Sequence, residues 1–287
     1  MPREVIRVDS WDDPHLAPYR NLPERTLRGE SIFITEGWLV TERLLKSRYE
    51  TESVLLSEDC AARFIDQIPA SIPVYVGPRE LLYQVVGYQF HQGVLAVGRR
   101  RILPSVRDVL PPPEKPGPLL LVICPQITKP DNIGLVFRSA AAFGVDAVIL
   151  GERCAEPFSR RILRVSMGAV LHLPLAKTTN LRSELETLKR EWGVELVATV
   201  LHPPAVSLPD FTPPERVGLL FGHETEGLSE GWEDLCDHRV TIPMSPLVDS
   251  LNLGVAAGVF LYEIRRSALS RRCSPVPGTA LPSTSDR

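Results

Sequence analysis

The chain has 287 residues, enough for roughly two domains, and its 44% hydrophobic and 23% charged content is the mix of a soluble protein with a core to bury. The net charge of −3 does not advertise a polyanion partner for the whole molecule, although arginines cluster at 99–101, 160–164, 265–266 and 271–272. Five scattered cysteines without a C-x-x-C and six histidines without ligand spacing give no reason to expect a disulfide frame or a metal site, and they fit a reducing, cytoplasmic setting.

In chain order, the first residues, MPREVIRVDSWDDPHL, carry no apolar stretch of the signal-peptide kind. SIFIT, SVLLS, PVYVG and GVLAVG read as extended and apolar, and EGWLVTERLLKS, EDCAARFIDQI and PRELLYQVVG show helical spacing between them. Residues 1–110 are therefore expected to form a small α/β domain. PPPEKPGP, residues 111–118, can continue neither a helix nor a central strand and reads as a stiff linker.

From residue 119 to 271 the alternation repeats with longer pieces: LLLVIC and VDAVIL as strands, NIGLVFRSAAAFG and SRRILRVSMG as helices. LRSELETLKREWG follows as a helix, then VELVATV and RVGLLFG as strands. SLNLGVAAGVFLYEIRRSAL closes the domain as a long apolar helix, and residues 272–287 have the composition of a disordered tail. Continuous apolar strands alternating with helices predict a mostly parallel sheet covered on both faces, whose ligands bind beyond the carboxyl ends of the strands. No apolar run reaches the length of a membrane span.

Three loops at those strand ends stand out: KPDNIGLVFRSA (129–140), FGHETEGLSEGW (221–232) and IPMSPLVDSLNLGVA (242–256). None is a dinucleotide fingerprint or a P-loop. Taken singly, their residues have bland readings. Asn132 is a candidate helix cap, Arg138 a surface ion pair and Glu224 a capping group of its own loop. Ser250 is a candidate cap of the last helix, and Ile242 and Leu251 are ordinary core.

Together, and in this order, the loops resemble the SpoU (TrmH-type) RNA ribose methyltransferases of the SPOUT class. Asn132, Gly134 and Arg138 match N-x-G-x-x-x-R, and Gly222, Glu224 and Gly227 match G-x-E-x-x-G. Ile242, Pro243 and Met244, with Ser250, Leu251 and Asn252, match I-P-M…S-L-N. FITEG (33–37) and HQGVLAV (91–97) resemble, less specifically, the small α/β substrate-binding domain of that family. The resemblance implies a trefoil-knotted parallel-sheet methyltransferase domain preceded by an RNA-binding α/β domain. It also implies a homodimer, and transfer of the methyl group of S-adenosyl-L-methionine to a ribose 2′-hydroxyl of structured RNA, with rRNA expected ahead of tRNA. A tRNA 2′-O-methyltransferase, or a non-catalytic RNA-binding assembly factor that keeps the fold, remains an alternative.

By the same resemblance, Arg138, Asn132, Glu224, Ser250 and Asn252 are the catalytic candidates. Gly222, Ile242, Met244 and Leu251, with Thr199 and Leu201 outside them, are the cofactor candidates. Deprotonating an arginine at pH 7 would cost about 7–9 kcal/mol, so Arg138 is expected to act as a fixed cation rather than as a base. Two departures from the family pattern concern the third loop. Pro246 stands where Gly is usual, and Pro excludes positive φ and lacks an N–H. Gly254 stands where many relatives carry Ser, a change expected to matter less.

Overall fold

A computed structural model describes residues 4–20, 31–87 and 91–273, with side chains to residue 268. The first half builds a five-stranded sheet from β1 (Val5–Arg7), β2 (Ile32–Glu36), β3 (Thr51–Ser57), β4 (Val74–Gly77) and β5 (Val94–Arg99), in the order β1-β4-β3-β5-β2. β1, β4 and β3 run parallel, whereas β5 pairs antiparallel with both β3 and β2. Helices α1 (Trp38–Leu45), α2 (Glu58–Phe64) and α3 (Arg79–Val86) connect the strands where helical spacing predicts them. Strand β1 escapes the sequence reading because it is three residues long and only half-buried at its centre.

After the short helix α4 (Val106–Val109), the second half forms a seven-stranded, wholly parallel sheet. Its strands are β6 (Leu119–Cys124), β7 (Ala147–Leu150), β8 (Leu175–Lys177), β9 (Glu195–Thr199), β10 (Val206–Ser207), β11 (Arg216–Leu220) and β12 (His238–Thr241), in the order β10-β12-β9-β11-β6-β7-β8. The helices are α5 (Pro130–Ala142), α6 (Arg160–Val165), α7 (Leu181–Trp192), α8 (Glu230–Glu233) and α9 (Leu253–Cys273). β6 shows why its sequence is apolar without interruption. Leu120, Val122 and Cys124 enter a core with Phe137 of α5 and Leu261 of α9, while Leu119, Leu121 and Ile123 enter another with Leu185 and Leu188 of α7. The expected parallel sheet with both faces covered is what forms. β8, β10 and β12 were not anticipated, being short edge or near-edge strands of two to four residues. α9 runs to Cys273, two residues into the expected tail, and the rest of that tail lies outside the described residues. Among the described residues, no helix is long and apolar enough to cross a membrane.

The two sheets are packed together. Glu36, buried at the end of β2, pairs with Arg160 and, at 3.6 Å, with Arg164, both on α6. Phe158 stacks on Phe33 with ring centroids 5.4 Å apart, and Arg100 pairs with Glu156 at 2.6 Å. Arg100, Arg160 and Arg164 are thus engaged in holding the two halves together, and Arg161 pairs at the surface with Asp131 at 2.6 Å. The proline-rich segment 111–118 is strapped down by Arg216, whose guanidinium donates to the carbonyls of Pro113 and Gly117 at 3.2 Å each and to that of Lys115.

Candidate active site

Three strands at the carboxyl edge of the parallel sheet, β9, β11 and β12, release the chain into one pocket. Thr199, Val200 and Leu201 line it from β9, and Phe221 to Thr225 with Gly227 line it from β11. Ile242 and Met244 follow β12, and Ser250, Leu251, Leu253, Ala256 and Phe260 come from the entry and first turns of α9. All six cofactor candidates, Thr199, Leu201, Gly222, Ile242, Met244 and Leu251, therefore share one cavity with Glu224 and Ser250. Thr199 Oγ1 donates to the Leu220 carbonyl at 2.8 Å and fixes the ends of β9 and β11 side by side.

The loop after β11 is shaped by close backbone approach. His223 and Gly227 exchange both backbone hydrogen bonds, at 2.8 and 2.9 Å, and Gly227 takes φ +70°. A Cβ at Gly222 would stand 2.2 Å from the Gly227 carbonyl carbon, so this position admits only glycine without moving backbone.

A polar chain runs from this loop to the helix entries. Glu224 Oε1 accepts the Lys129 backbone N–H at 2.9 Å, immediately before α5. Burial would push the Glu224 carboxyl up; the Lys129 N–H, its own backbone N–H and the Asn132 side chain outweigh this and hold it below the ordinary glutamate value. Asn132 in turn accepts from Asn252 Nδ2 at 2.9 Å. Asn252 Oδ1 accepts the backbone N–H groups of Gly254, at 2.9 Å, and Val255, at 3.4 Å.

Several local expectations are corrected here. α5 starts at Pro130, two residues earlier than expected, where a missing N–H suits the first helical position, so Asn132 lies inside the helix and is not its cap. Asn252, not Ser250, caps α9; Ser250 is exposed on the pocket rim. Pro246 occupies the second position of a turn closed by the Val248 N–H to the Ser245 carbonyl at 3.3 Å, a place that suits proline's fixed φ. In this chain the turn forms without positive φ or an N–H at Pro246. Gly254 matters more than expected, because a Cβ there would stand 2.3 Å from Leu135 Cβ, where α9 crosses α5.

Arg138 is the one catalytic candidate apart from this assembly. It is exposed on α5, makes no hydrogen bond or ion pair among the described residues, and does not line the pocket. α9 divides its residues, with Leu253, Ala256 and Phe260 lining the pocket and Gly254 and Gly258 against α5.

The donor set fits S-adenosylmethionine. The Glu224 side chain is only 4% exposed, and its Oε2 has no hydrogen-bond partner; His223 Nε2 is 3.5 Å away. An orphaned carboxylate oxygen on a pocket wall suits a ligand that carries positive charge and N–H donors, and the walls from Phe221, Ile242, Leu251 and Phe260 suit an adenine ring. No group of three or more His, Cys, Asp or Glu side chains that could hold a metal occurs among the described residues. Sequence reasoning missed His223, Val200, Leu253, Ala256 and Phe260 as lining residues. His223 sits between two motif positions and was within reach, whereas Ala256 and Phe260 emerge only when α9's apolar residues are divided between pocket and α5.

A parallel sheet with one ligand pocket formed by three loops at its carboxyl edge defines an α/β ligand-binding domain of enzyme type. Residues 119–262 match the model of the SpoU rRNA methylase family. An uncharacterized tRNA/rRNA methyltransferase of Mycobacterium bovis is 36% identical over 92% of this chain and 93% of its own. A 23S rRNA (guanosine-2′-O-)-methyltransferase of Acinetobacter baylyi is 32% identical over 70% of this chain and 81% of its own. The crystal structure of an AdoMet-bound rRNA methyltransferase from Sinorhizobium meliloti superposes with a TM-score of 0.77 at 26% identity, covering 91% of this chain and 98% of that one. The chain belongs to the SpoU family, and with it to the S-adenosylmethionine-dependent RNA 2′-O-ribose methyltransferases.

Proposed function

We propose that this chain methylates a ribose 2′-hydroxyl of structured ribosomal RNA, with Arg138 as the cation that faces the attacking oxygen. The observation that carries the reading is the convergence of Gly222, Glu224, Ile242, Met244 and Leu251 on one pocket, joined through Asn132 and Asn252 to the helix that holds Arg138. Bound S-adenosylmethionine supplies an electrophilic methyl group on a sulfonium. A ribose hydroxyl is a poor acid, so the protein must stabilise the charge that develops on its oxygen and hold that oxygen in line with the methyl carbon. Arg138 does the first, donating to that oxygen or to the neighbouring phosphate. Asn132 and Asn252 fix α5 against α9, Glu224 receives the positive end of the cofactor, and Ser250 faces the substrate from the rim. Residues 1–110 act as the RNA-binding domain, 119–271 as the catalytic domain, and the chain of the catalytic domain is threaded as a trefoil knot.

The reading includes a homodimer. Arg138 does not line its own pocket, α9 exposes Val255 (51%), Val259 (38%) and Tyr262 (57%) in one stripe, and the loop before α9 exposes Leu247 (90%) and Val248 (51%). A second copy covers this apolar face and brings its own Arg138 to the first copy's pocket. An accessible 2′-hydroxyl in a loop or bulge is the target. Ribose-methylation mapping of total RNA from cells with and without the chain tests the proposal: one rRNA position should lose its methyl group, and a lost tRNA position instead would overturn the rRNA assignment.

A further inference from the structure

Outside the pocket, one buried carboxylate has no part in the functions described so far. Glu233 ends α8, the helix that closes the loop after β11, and is 6% exposed. Its Oε1 faces His202 Nε2 at 3.1 Å, and its Oε2 accepts from Arg239 Nε at 3.1 Å. The two partners come from different segments, one a loop and the other a strand. His202 directly follows Leu201 in the segment after β9, and Arg239 lies on β12, three residues before Ile242. At this end β9 and β12 are joined by Val240↔Thr199 and by the Val200 N–H to the Val240 carbonyl at 3.0 Å, and β12 then pairs with β10 through Ser207↔Thr241, which leaves residues 201–205 and the chain after Thr241 outside any ladder. A buried carboxylate is costly unless both oxygens are matched, and here each is matched by a cation-forming group on a different segment that leads to the pocket.

We propose that Glu233 is a positioning residue for the cofactor pocket: from the helix ending one pocket loop it clasps the segment after β9 to strand β12, which leads into the third loop, and so sets the spacing between the Thr199–Leu201 wall and the Ile242–Met244 wall. The assignment rests on reading that pocket as the S-adenosylmethionine site. Glu233 does not line the pocket, so its effect falls on affinity and leaves the chemical step alone.

The test uses the full chain and its E233Q, H202Q and R239Q variants. E233Q keeps the shape of the side chain and removes its charge. Amide hydrogen exchange without cofactor should quicken at least about tenfold in E233Q across both 200–206 and 239–245. It should quicken in the first segment alone in H202Q and in the second alone in R239Q. In E233Q, KM and Kd for S-adenosylmethionine should rise by about tenfold with kcat within about twofold of wild type. Exchange unchanged in either segment of E233Q overturns the clasp, and a fall in kcat at unchanged KM overturns the positioning role. A wild-type chain that does not bind S-adenosylmethionine at millimolar concentration sinks the reading of the pocket instead, whatever the exchange experiment gives.

Discussion

Asn252 Nδ2 donates to Asn132 Oδ1 at 2.9 Å, joining residues 120 positions apart at the start of two crossing helices. Asn252 also receives the Gly254 N–H, so one side chain caps α9 and ties it to α5. Asn252→Ala removes both contacts and should cost about 1–2 kcal/mol, read as a lower denaturant midpoint. Asn252→Asp keeps the acceptor and loses the donor. It should recover most of the stability and little of the methyl transfer; full activity in this variant would show that the tie to Asn132 is dispensable.

Arg138 is exposed and without a partner among the described residues, so Arg138→Lys should leave stability within about 0.5 kcal/mol of wild type. S-adenosylmethionine affinity, measured by calorimetry, should also hold. Methyl transfer should fall by about a hundredfold, because a point charge replaces a bidentate fork where charge develops. Near wild-type turnover would remove the need for the guanidinium.

Gly254→Ser introduces a Cβ 2.3 Å from Leu135 Cβ at the α5–α9 crossing. The helices must separate, at a cost of about 1–3 kcal/mol. Pairing the change with Leu135→Ala should restore part of that loss; a double-mutant cycle without coupling would mean that the crossing relaxes elsewhere.

The pH dependence of stability has an acid limb set in part by Glu224. Its folded carboxyl lies below the ordinary value of 4.5, held there against burial by the Lys129 N–H, its own backbone N–H and Asn132. The contribution is complete above about pH 4.5 and is lost as pH falls through the folded value. Denaturant midpoints at pH 5 and pH 3 should therefore differ less in Glu224→Gln than in wild type.

His202 gives a contribution of the opposite sense. The Glu233 hydrogen bond, followed by the Pro203 carbonyl, raises its imidazole above 6.5, with Arg239 of β12 acting against them. The stabilisation is complete below pH 6.5 and lost as pH rises through the folded value. His202→Gln should narrow the difference between midpoints at pH 6 and pH 9; an unchanged difference would assign that limb to another group.

The sequence carried the central strands clearly, because β6, β7, β9 and β11 are buried on both faces and their apolar runs can hardly be anything else. Edge strands β8 and β10 left no such mark. Pocket-lining residues were legible where motif spacing singles out residues that share no single element, as Gly222, Glu224 and Ile242 do. Which asparagine caps which helix was not legible, since Asn132, Ser250 and Asn252 are all good caps by type. Their roles follow from the crossing of α5 and α9, a contact between segments more than a hundred residues apart. The Glu233 clasp was invisible for the same reason: nothing in its local sequence points to His202 or Arg239.

The packing of Glu36 against Arg160 and of Phe33 against Phe158 has a consequence for target choice. A sheet bolted to its neighbour through buried charge and stacked rings works as a fixed caliper. On the proposed reading, in which residues 1–110 hold the RNA, that RNA would be presented at a set span from the methyl donor, and distance along the folded substrate would select among many identical sugars.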